Sequence, residues 1–299
     1  MDKPRIGFIG IGFMGQGMAG RILDGGYPLT VMAHRKREAL EALVKRGAKE
    51  AATPAGVAAA SDIVFLCVTA SPQVEAIMRG PQGIKTAARQ GLIVVDCTTA
   101  NPVSTAALAA ELAPLGVAFA DAPLGGTPSN AAEGTLSAMV GADPEVFERI
   151  KPVAGCFAAK VVHLGPPGMG HKMKLLNNFL SLGYGALYAE ALALCAKVGI
   201  TPQNFDSVIR GGRMDCGFYQ TFMQYTLDGN RDAHKFTIAN AFKDLRYLES
   251  MADAAGLVNM MGNAVKNSFA VAAAQRPEDF VPMLPDHIAQ LNNVALKSK

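Results

Sequence analysis

Cysteine is scarce in this sequence, and the few cysteines are not paired. Five occur among 299 residues, widely spaced and without a Cys-x-x-Cys pair. This spacing argues against a disulfide framework and against a zinc site, and it suits a reducing cytosol, so we expect a cytoplasmic location. Histidines are also scattered, and we expect no metal site. The cysteines are Cys67, Cys97, Cys156, Cys195 and Cys216, and the histidines are His34, His163, His171, His234 and His287.

A strong charge of one sign is also lacking. The net charge is +3 and the longest basic run is His34-Arg35-Lys36-Arg37, which is too little to predict a nucleic-acid partner. No signal-peptide pattern precedes the first apolar run. The apolar segment after residue 170 contains Lys172, Lys174 and Glu190. We therefore expect it to be a buried helix and not a membrane span.

Short apolar runs, by contrast, are abundant. Half of the residues are apolar and 18% are charged, which is typical of a globular protein with a large core. Up to residue 165 the runs alternate with helical patterns, which predicts a parallel sheet covered on both faces. The predicted strands span residues 6–9, 29–32, 63–68, 92–95, 117–120, 137–140 and 161–163, and the predicted helices include 15–23, 37–46 and 102–115.

After Pro166-Pro167-Gly168 the pattern becomes helical. The first helix is predicted from about Gly170 to Val198, with Gly199 as a left-handed C-terminal cap. Thr201 and Pro202 are typical of the N-cap and first residue of the next helix. Leucines surround most of the first helix, so we expect it to be covered on several sides, in part by a second subunit of a homodimer or homotetramer.

A glycine motif follows the first predicted strand. Ile6-Gly7-Phe8-Ile9 leads into Gly10-Ile11-Gly12-Phe13-Met14-Gly15, which opens a helix. Gly10 permits a tight turn, Gly12 lets the backbone approach a pyrophosphate, and Gly15 lets the helix and strand pack closely. The helix N-terminus offers N–H groups to the phosphates. The alternative is a glycine-rich turn without a ligand.

The sequence therefore predicts an α/β fold class. An N-terminal doubly wound Rossmann domain over residues 1–165 is followed by an all-α domain over residues 166–299, with a long interdomain helix. We expect the first domain to bind a dinucleotide and the second to take part in dimerisation.

The end of the second predicted strand bears on the choice of cofactor. An acidic residue there would bind the ribose 2′-hydroxyl of NAD, but the sequence continues His34-Arg35-Lys36. A cationic segment, with Arg35 able to grip a phosphate bidentately, suits a 2′-phosphate. We expect NADP(H), with NAD(H) as the second option. The alternative is that these charges are a solvated helix start.

A second glycine loop, Gly168-Met169-Gly170, runs into the long predicted helix. Lys174 and Asn178 follow, four residues apart in the sequence, and so project from one helix face. A lysine and an amide on one face suggest a site for a small oxygen substrate. The alternative is a surface lysine and an ordinary helical asparagine.

Four motifs in order give the chain a resemblance to the β-hydroxyacid dehydrogenases, the group that contains 3-hydroxyisobutyrate dehydrogenase and tartronate semialdehyde reductase. They are the first glycine motif, Asp121-Ala122-Pro123-Leu124-Gly125-Gly126-Thr127, Gly168-x-Gly170-x-x-x-Lys174-x-x-x-Asn178, and Lys243-Asp244-Leu245. The resemblance implies an oxidoreductase with its active site between two domains, of which the second, over residues 166–299, serves the substrate.

The resemblance also implies roles for individual residues. Lys174 matches the catalytic lysine and Asn178 an asparagine that helps to hold the substrate. Residues 125–127 match a segment that binds the substrate carboxylate, and Lys243 matches a lysine that approaches the cofactor. Val68, Thr69 and Thr99 fall where the family contacts the cofactor.

The chemistry agrees with these roles. Hydride transfer to a carbonyl builds negative charge on its oxygen, and a lysine ammonium stabilises that charge and donates the proton. Two alternatives are open: a non-catalytic NADP-binding scaffold, and imine reduction on the same fold. Family relatives of either kind usually lack the catalytic lysine, whereas this chain has Lys174.

The substrate segment departs from the family pattern. The common form is Asp-Ala-Pro-Val-Ser-Gly-Gly, whereas this chain has Gly125-Gly126-Thr127. The segment is similar to that of sulfolactaldehyde reductases, which carry Gly-Arg-Thr, but their arginine is Gly126 here. Sulfonate specificity is therefore not expected, and the substrate is a small carboxylate of open identity. Arg213 and the aromatic residues after it are either pocket or core residues.

Overall fold

The computed structural model describes residues 3–32 and 37–296. It divides the chain into two units, Met1–Lys174 and Leu175–Lys299, referred to below as the N-terminal and C-terminal units.

A single sheet organises the N-terminal unit. From one edge, its strands lie in the order β3-β2-β1-β4-β5-β6-β8-β7, with β9 beside β8. The pairs from β3 to β6 are parallel, whereas β8 runs antiparallel to β6 and β7. The strands are β1 (Ile6–Ile9), β2 (Leu29–Met32), β3 (Lys49–Glu50), β4 (Ile63–Leu66), β5 (Ile93–Asp96), β6 (Ala118–Asp121), β7 (Leu124–Gly125), β8 (Leu136–Gly141) and β9 (Ala158–Gly165).

Helices connect these strands. They are α1 (Phe13–Asp24), α2 (Glu38–Lys45), α3 (Pro54–Ala59), α4 (Ser71–Arg79), α5 (Pro102–Leu112), α6 (Pro128–Glu133) and α7 (Pro144–Ala154). Alternate strand residues face opposite helix layers, as the two-residue period of a strand requires. Phe8 and Phe65 pack in one layer with residues of α1, α2 and α7. Ile9 and Val64 pack in the other with residues of α3, α4 and α5. The predicted doubly wound sheet is confirmed.

The strand order creates a switch point between β1 and β4. The chain moves from β1 outwards to β3, then returns to β4 and moves outwards again to β6. Loops at the carboxyl ends of β1 and β4 therefore leave in opposite directions. In open α/β sheets, ligands bind in the crevice that this divergence leaves.

The C-terminal unit is helical. Its core contains Tyr219, Phe222 and Phe269, all fully buried. In the described part of this unit, one isolated antiparallel β-bridge joins Thr237 and Phe280. The helices are α8 (Met169–Val198), which begins in the N-terminal unit, then α9 (Pro202–Ile209), α10 (Gly217–Asp228), α11 (Ile238–Ala254), α12 (Met260–Gln275) and α13 (Leu284–Leu291).

Helix α8 is covered on one side only. Leu175, Leu182 and Leu192 are buried, whereas Leu176, Leu180, Leu187 and Leu194 are 45–63% exposed. One face of the helix is therefore buried as predicted, and the opposite face is exposed in the single chain, because its neighbours cover one apolar stripe. With a mean hydropathy of 1.4 in its most apolar window, α8 could cross a membrane by length and composition. The core helix of a soluble protein passes the same test, so this is weak evidence.

Several elements match the sequence predictions closely, whereas the eight-residue strand β9 was predicted only over residues 161–163. Strands β1 and β2 have the predicted bounds, and α8 begins one residue before the prediction. Gly199 is left-handed with φ +81°, and the Thr201 hydroxyl accepts the Asn204 N–H at 3.1 Å as an N-cap. The two-residue strands β3 and β7 and the short helices α3 and α6 were not predicted, because so few residues show no periodicity.

Candidate cofactor and active site

Two glycines of the first loop are required by close backbone contacts. Gly10 has φ +105°, and a Cβ there would lie 2.1 Å from the Cys67 carbonyl oxygen. A Cβ on Gly15 would lie 1.9 Å from the Gly10 carbonyl oxygen. Any side chain at these positions would push the turn away from β4 or α1 away from the turn. The roles predicted for Gly10 and Gly15 therefore have a direct steric basis.

Gly12 lies in a different environment. It is the N-cap of α1, and no described side chain bonds to that helix end. No described heavy atom lies within 4 Å of a Cβ built on Gly12. The space beside Gly12 is thus open among the described residues, and Phe13, the first residue of α1, is 79% exposed. The residues present fit a pyrophosphate, which helix N-termini bind through N–H groups and the helix dipole.

The loops after β4 and β5 meet beside this turn, because β1, β4 and β5 are neighbours in the sheet. The Val68 N–H donates to the Thr98 hydroxyl oxygen at 3.1 Å, which joins the two loops. Thr69 is exposed and Thr99 half-buried. The structure therefore places Val68, Thr69 and Thr99 on the same sheet edge as the glycine turn.

The predicted phosphate-binding residues His34, Arg35 and Lys36 lie outside the described residues. Arg37, the last of that basic run, donates to both carboxylate oxygens of Glu50 at 3.0 Å. Hydrogen bonding to Arg37 lowers the pKa of Glu50. Arg37 is therefore tied to β3.

The segment Gly125-Gly126-Thr127 forms the bend between β7 and α6. Gly126 has φ +122°, and a Cβ there would lie 2.8 Å from the Leu136 side chain, so the bend disfavours any larger residue. The Thr127 hydroxyl accepts the Asn130 N–H at 3.4 Å and donates to Asn130 Oδ1 at 2.8 Å. That hydroxyl is engaged in capping α6, a contact that the sequence analysis did not anticipate.

The second glycine loop ends on a buried carboxylate. Asp121, the last residue of β6, accepts hydrogen bonds from the N–H groups of Gly168 and His171, the latter at 2.6 Å. Gly168 has φ +95°, and a Cβ on Gly170 would lie 2.2 Å from the Met139 carbonyl oxygen. Lys174 follows within the next turn and is half-buried. The start of α8 is therefore held at the carboxyl end of the sheet.

Further polar residues surround this helix start. His171 is fully buried, with Nδ1 2.7 Å from the Thr105 hydroxyl oxygen and Nε2 3.9 Å from Asp96 Oδ2. Asp96 Oδ1 accepts the Thr98 N–H at 2.9 Å. Burial is the main cause that raises the pKa of Asp96, partly opposed by His171.

Most of this group was not predicted from the sequence. Asp121 lay within a motif without an assigned role, His171 was grouped with the scattered histidines, and Asp96 was not singled out. The sequence did contain a signal for these residues. Asp96 and Asp121 end the neighbouring parallel strands β5 and β6, so both must lie at the carboxyl edge of the sheet.

A second polar group lies in the C-terminal unit. Asn178 is 7% exposed and its Nδ2 donates to Asp244 Oδ2 at 2.7 Å. Lys243 Nζ lies 3.3 Å from Asp244 Oδ1 and 5.6 Å above the Tyr247 ring centroid. The structure brings together the predicted residues Asn178 and Lys243, and Asp244, which was not predicted as a site residue, joins them.

The aromatic residues after Arg213 are largely core residues. Tyr219 and Phe222 are fully buried, and the Tyr219 hydroxyl donates to Asp206 at 3.0 Å. Burial, supported by a hydrogen bond to Asp286, raises the pKa of Tyr225 to about 12. Arg213 is exposed in the preceding loop. Throughout residues 3–32 and 37–296, no group of three or more His, Cys, Asp or Glu side chains is placed to hold a metal ion.

Two family models match this chain and together cover most of it. Residues 5–165 match the NAD-binding domain of 6-phosphogluconate dehydrogenase. Residues 168–284 match the family described as NAD-binding of NADP-dependent 3-hydroxyisobutyrate dehydrogenase.

Individual proteins agree with the family models. A 2-(hydroxymethyl)glutarate dehydrogenase of Eubacterium barkeri is 39% identical over 70% of this chain and 69% of its own length. A 3-sulfolactaldehyde reductase of Escherichia coli is 30% identical over 90% of both chains. Among solved structures, a 3-hydroxyisobutyrate dehydrogenase of Mycobacterium tuberculosis with L-serine has a TM-score of 0.85 at 24% identity, over 95% of this chain and 98% of that one; this likeness shows the fold.

Proposed function

Since the chain belongs to the β-hydroxyacid dehydrogenase family, a group of NAD(P)-dependent oxidoreductases that act on the CH–OH group, we propose that it interconverts a small aldehyde acid and its hydroxy acid with Lys174 as general acid and base. One observation carries the proposal. The open glycine turn at Gly12 and the anchored start of α8 belong to one unit and lie at the carboxyl ends of the same sheet.

The residues divide the work as follows. The turn at residues 10–15 holds the cofactor pyrophosphate, while Val68, Thr69, Thr99 and Lys243 contact the cofactor. A bound nicotinamide supplies or accepts the hydride. Lys174 stabilises the charge that develops on the carbonyl oxygen and donates the proton, and in the oxidation direction its amine accepts that proton. Asn178, held by Asp244, orients the substrate oxygen.

The substrate class follows from the bend after β7. Residues 125–127 bind the substrate carboxylate. Gly126 has no side chain, so the bend offers no cation to a sulfonate at this position. Its φ of +122° also disfavours a larger residue there. We therefore propose a carboxylate-bearing substrate, with NADP(H) preferred through His34, Arg35 and Lys36. If kcat/KM is equal for NADH and NADPH, the cofactor preference is wrong.

The activity is tested by NADPH oxidation over glyoxylate, succinic semialdehyde, tartronate semialdehyde, methylmalonate semialdehyde and sulfolactaldehyde. We expect a carboxylate aldehyde to be reduced faster than sulfolactaldehyde. Lys174→Met removes the proton donor and should lower kcat by about 10³-fold with NADPH affinity nearly intact. Lys172→Met is the matched control, since Lys172 is an exposed lysine on the same turn.

Two outcomes contradict the proposal in different ways. A Lys174→Met variant that retains most of its turnover removes Lys174 from the mechanism. A wild-type protein that binds NADPH but oxidises it with none of the aldehydes supports the non-catalytic scaffold instead.

We further propose that the protein is a cytoplasmic homodimer or homotetramer. Leu180, Leu187 and Leu194 are exposed on α8 and recur every seven residues, a spacing that packs against a helix of a second copy. Leu180→Glu with Leu187→Glu should shift the mass measured by light scattering toward the monomer. An unchanged mass would exclude this face as the interface.

A further inference from the structure

We propose that Asp121, His171 and Thr105 are positioning residues for the reaction: together they lock the first turn of α8 and so set the place of Lys174 relative to the loops after β4 and β5. The inference rests on the proposed function, since it assigns these residues to the alignment of Lys174. It extends that function from the residues that touch reactants to the buried residues that hold them.

The first contact is the clamp made by Asp121. Its carboxylate is fully buried and accepts the N–H groups of Gly168 and His171, which a helix start would otherwise leave without partners. The residues around the Asp121 carboxylate are tightly packed. A Cβ on Gly141 would lie 2.4 Å from Asp121 Oδ1 and 2.8 Å from the Met169 nitrogen. Lys174 follows three residues after His171, so its backbone is held in register with β6.

The second contact ties the same turn to α5. His171 Nδ1 lies 2.7 Å from the Thr105 hydroxyl oxygen, and that hydroxyl also donates to the Asn101 carbonyl oxygen at 3.2 Å. A hydroxyl has one proton, so with that proton on Asn101 the His171 ring donates to Thr105. His171 and Thr105 are both at least 98% buried, and a buried pair of this kind defines one orientation of the ring.

The third contact leads to the cofactor loops. His171 Nε2 faces Asp96 Oδ2 at 3.9 Å and has no hydrogen-bond partner among the described residues. Asp96 holds the Thr98 N–H, and Thr98 holds the Val68 N–H. A polar cluster, hydrogen-bonded except at the 3.9 Å step between His171 and Asp96, therefore extends from the first turn of α8, just before Lys174, to the two loops proposed to contact the cofactor. Loss of a contact in this cluster should misalign the bound reactants more than it weakens their binding.

Thr105→Val is the most informative test because Thr105 is far from Lys174 in the sequence and valine keeps its shape. Succinic semialdehyde serves as the acceptor, or the best acceptor of the aldehyde panel. We expect kcat to fall about 10-fold to 100-fold, since small misplacements of reacting groups cost rates of that size. The Kd for NADPH should stay within about twofold. Thr105→Ser, which keeps the hydroxyl, should restore kcat.

A double-mutant cycle of Thr105→Val with Lys174→Met distinguishes the proposed catalytic role of Lys174 from the proposed positioning role of Thr105. In that background Thr105→Val should lower the residual rate no further, since the residue it positions is gone. If Lys174→Met keeps its turnover, the proposed function fails. If Lys174→Met loses turnover while folded Thr105→Val keeps the wild-type kcat, only the positioning role is overturned. Should Thr105→Val not fold, Asp121→Asn replaces it with the same readouts and the same criteria.

Discussion

Two glycine loops in the N-terminal unit lead into helices, and their helix starts are used in opposite ways. At Gly12 the start of α1 is open, with no described side chain capping it. At Gly168 the start of α8 is filled by the carboxylate of Asp121. Both helix ends attract negative charge for the same reason. The start of α1 is therefore available to a ligand, whereas the start of α8 binds the carboxylate of Asp121 and becomes rigid.

This difference explains why Gly12 and Gly170 should tolerate substitution to different degrees. Around Gly12 there is room that a cofactor would fill, whereas around Gly170 the space is already filled by Met139 and Asp121. Substitutions at the open start should therefore affect binding, and substitutions at the filled start should affect stability and alignment. Four predictions test this division, from the largest expected effect to the smallest.

Gly170→Ala should destabilise the protein most. Its Cβ would lie 2.2 Å from the Met139 carbonyl oxygen and 2.8 Å from Asp121 Oδ2, so the helix start must move. We expect a loss of about 3 kcal/mol in the free energy of unfolding, measured by urea unfolding. Gly12→Ala is the matched control and should cost under about 1 kcal/mol. Equal losses in the two variants would contradict the comparison.

Gly12→Ala should instead weaken the cofactor. The methyl group would occupy the space through which the backbone approaches the pyrophosphate. We expect the Kd for NADPH to rise about 30-fold to 100-fold, equivalent to about 2–3 kcal/mol, in a fluorescence titration. An unchanged Kd would show that the pyrophosphate does not lie at Gly12.

Asp121→Asn should have a moderate effect on stability. The amide keeps one acceptor oxygen but leaves one buried N–H of the helix start without a partner, which costs about 1–2 kcal/mol. The midpoint of urea unfolding measures it. Asp143→Asn is the control, because Asp143 precedes α7, is exposed and makes no side-chain cap bond in the described structure. The clamp is unimportant if both variants unfold at the same midpoint.

Asp96→Asn should produce the smallest effect, and one that depends on pH. Burial raises the pKa of Asp96 in the folded state. Its contribution to stability is therefore fully present below the unfolded pKa of about 4 and is lost as the pH rises through the folded pKa. Asparagine keeps an oxygen for the Thr98 N–H and does not ionise. Relative to wild type, the variant should become more stable as the pH rises from 4 to 8, which thermal unfolding at a series of pH values measures. A stability difference between variant and wild type that stays constant from pH 4 to pH 8 would contradict this prediction.

The cofactor half of the site was largely predictable from sequence. Gly10, Gly12 and Gly15 form a local pattern in which spacing alone assigns each role, and the strand before them and the helix after them are long enough to show periodicity. Lys174 and Asn178 were found in the same way, since a helix places residues four apart on one face. The roles of these residues remain proposals.

The supporting residues were not predictable in that way. Asp121 and His171 are 50 positions apart, and Asn178 and Asp244 are 66 apart. No local period links them. The cap that Thr127 forms on α6 was also not predicted, because a helix of six residues shows too little periodicity to reveal where it begins.

The sequence by itself determined the class of fold, the glycine turn and the lysine at the start of the long helix. These depend on backbone conformation and on hydrophobic periodicity, which neighbouring residues encode. Only the tertiary structure decided which helix start is open and which is closed. That outcome depends on whether a strand from elsewhere in the chain ends with a carboxylate against the helix N–H groups, and β6 brings Asp121 to α8 but brings nothing comparable to the described start of α1.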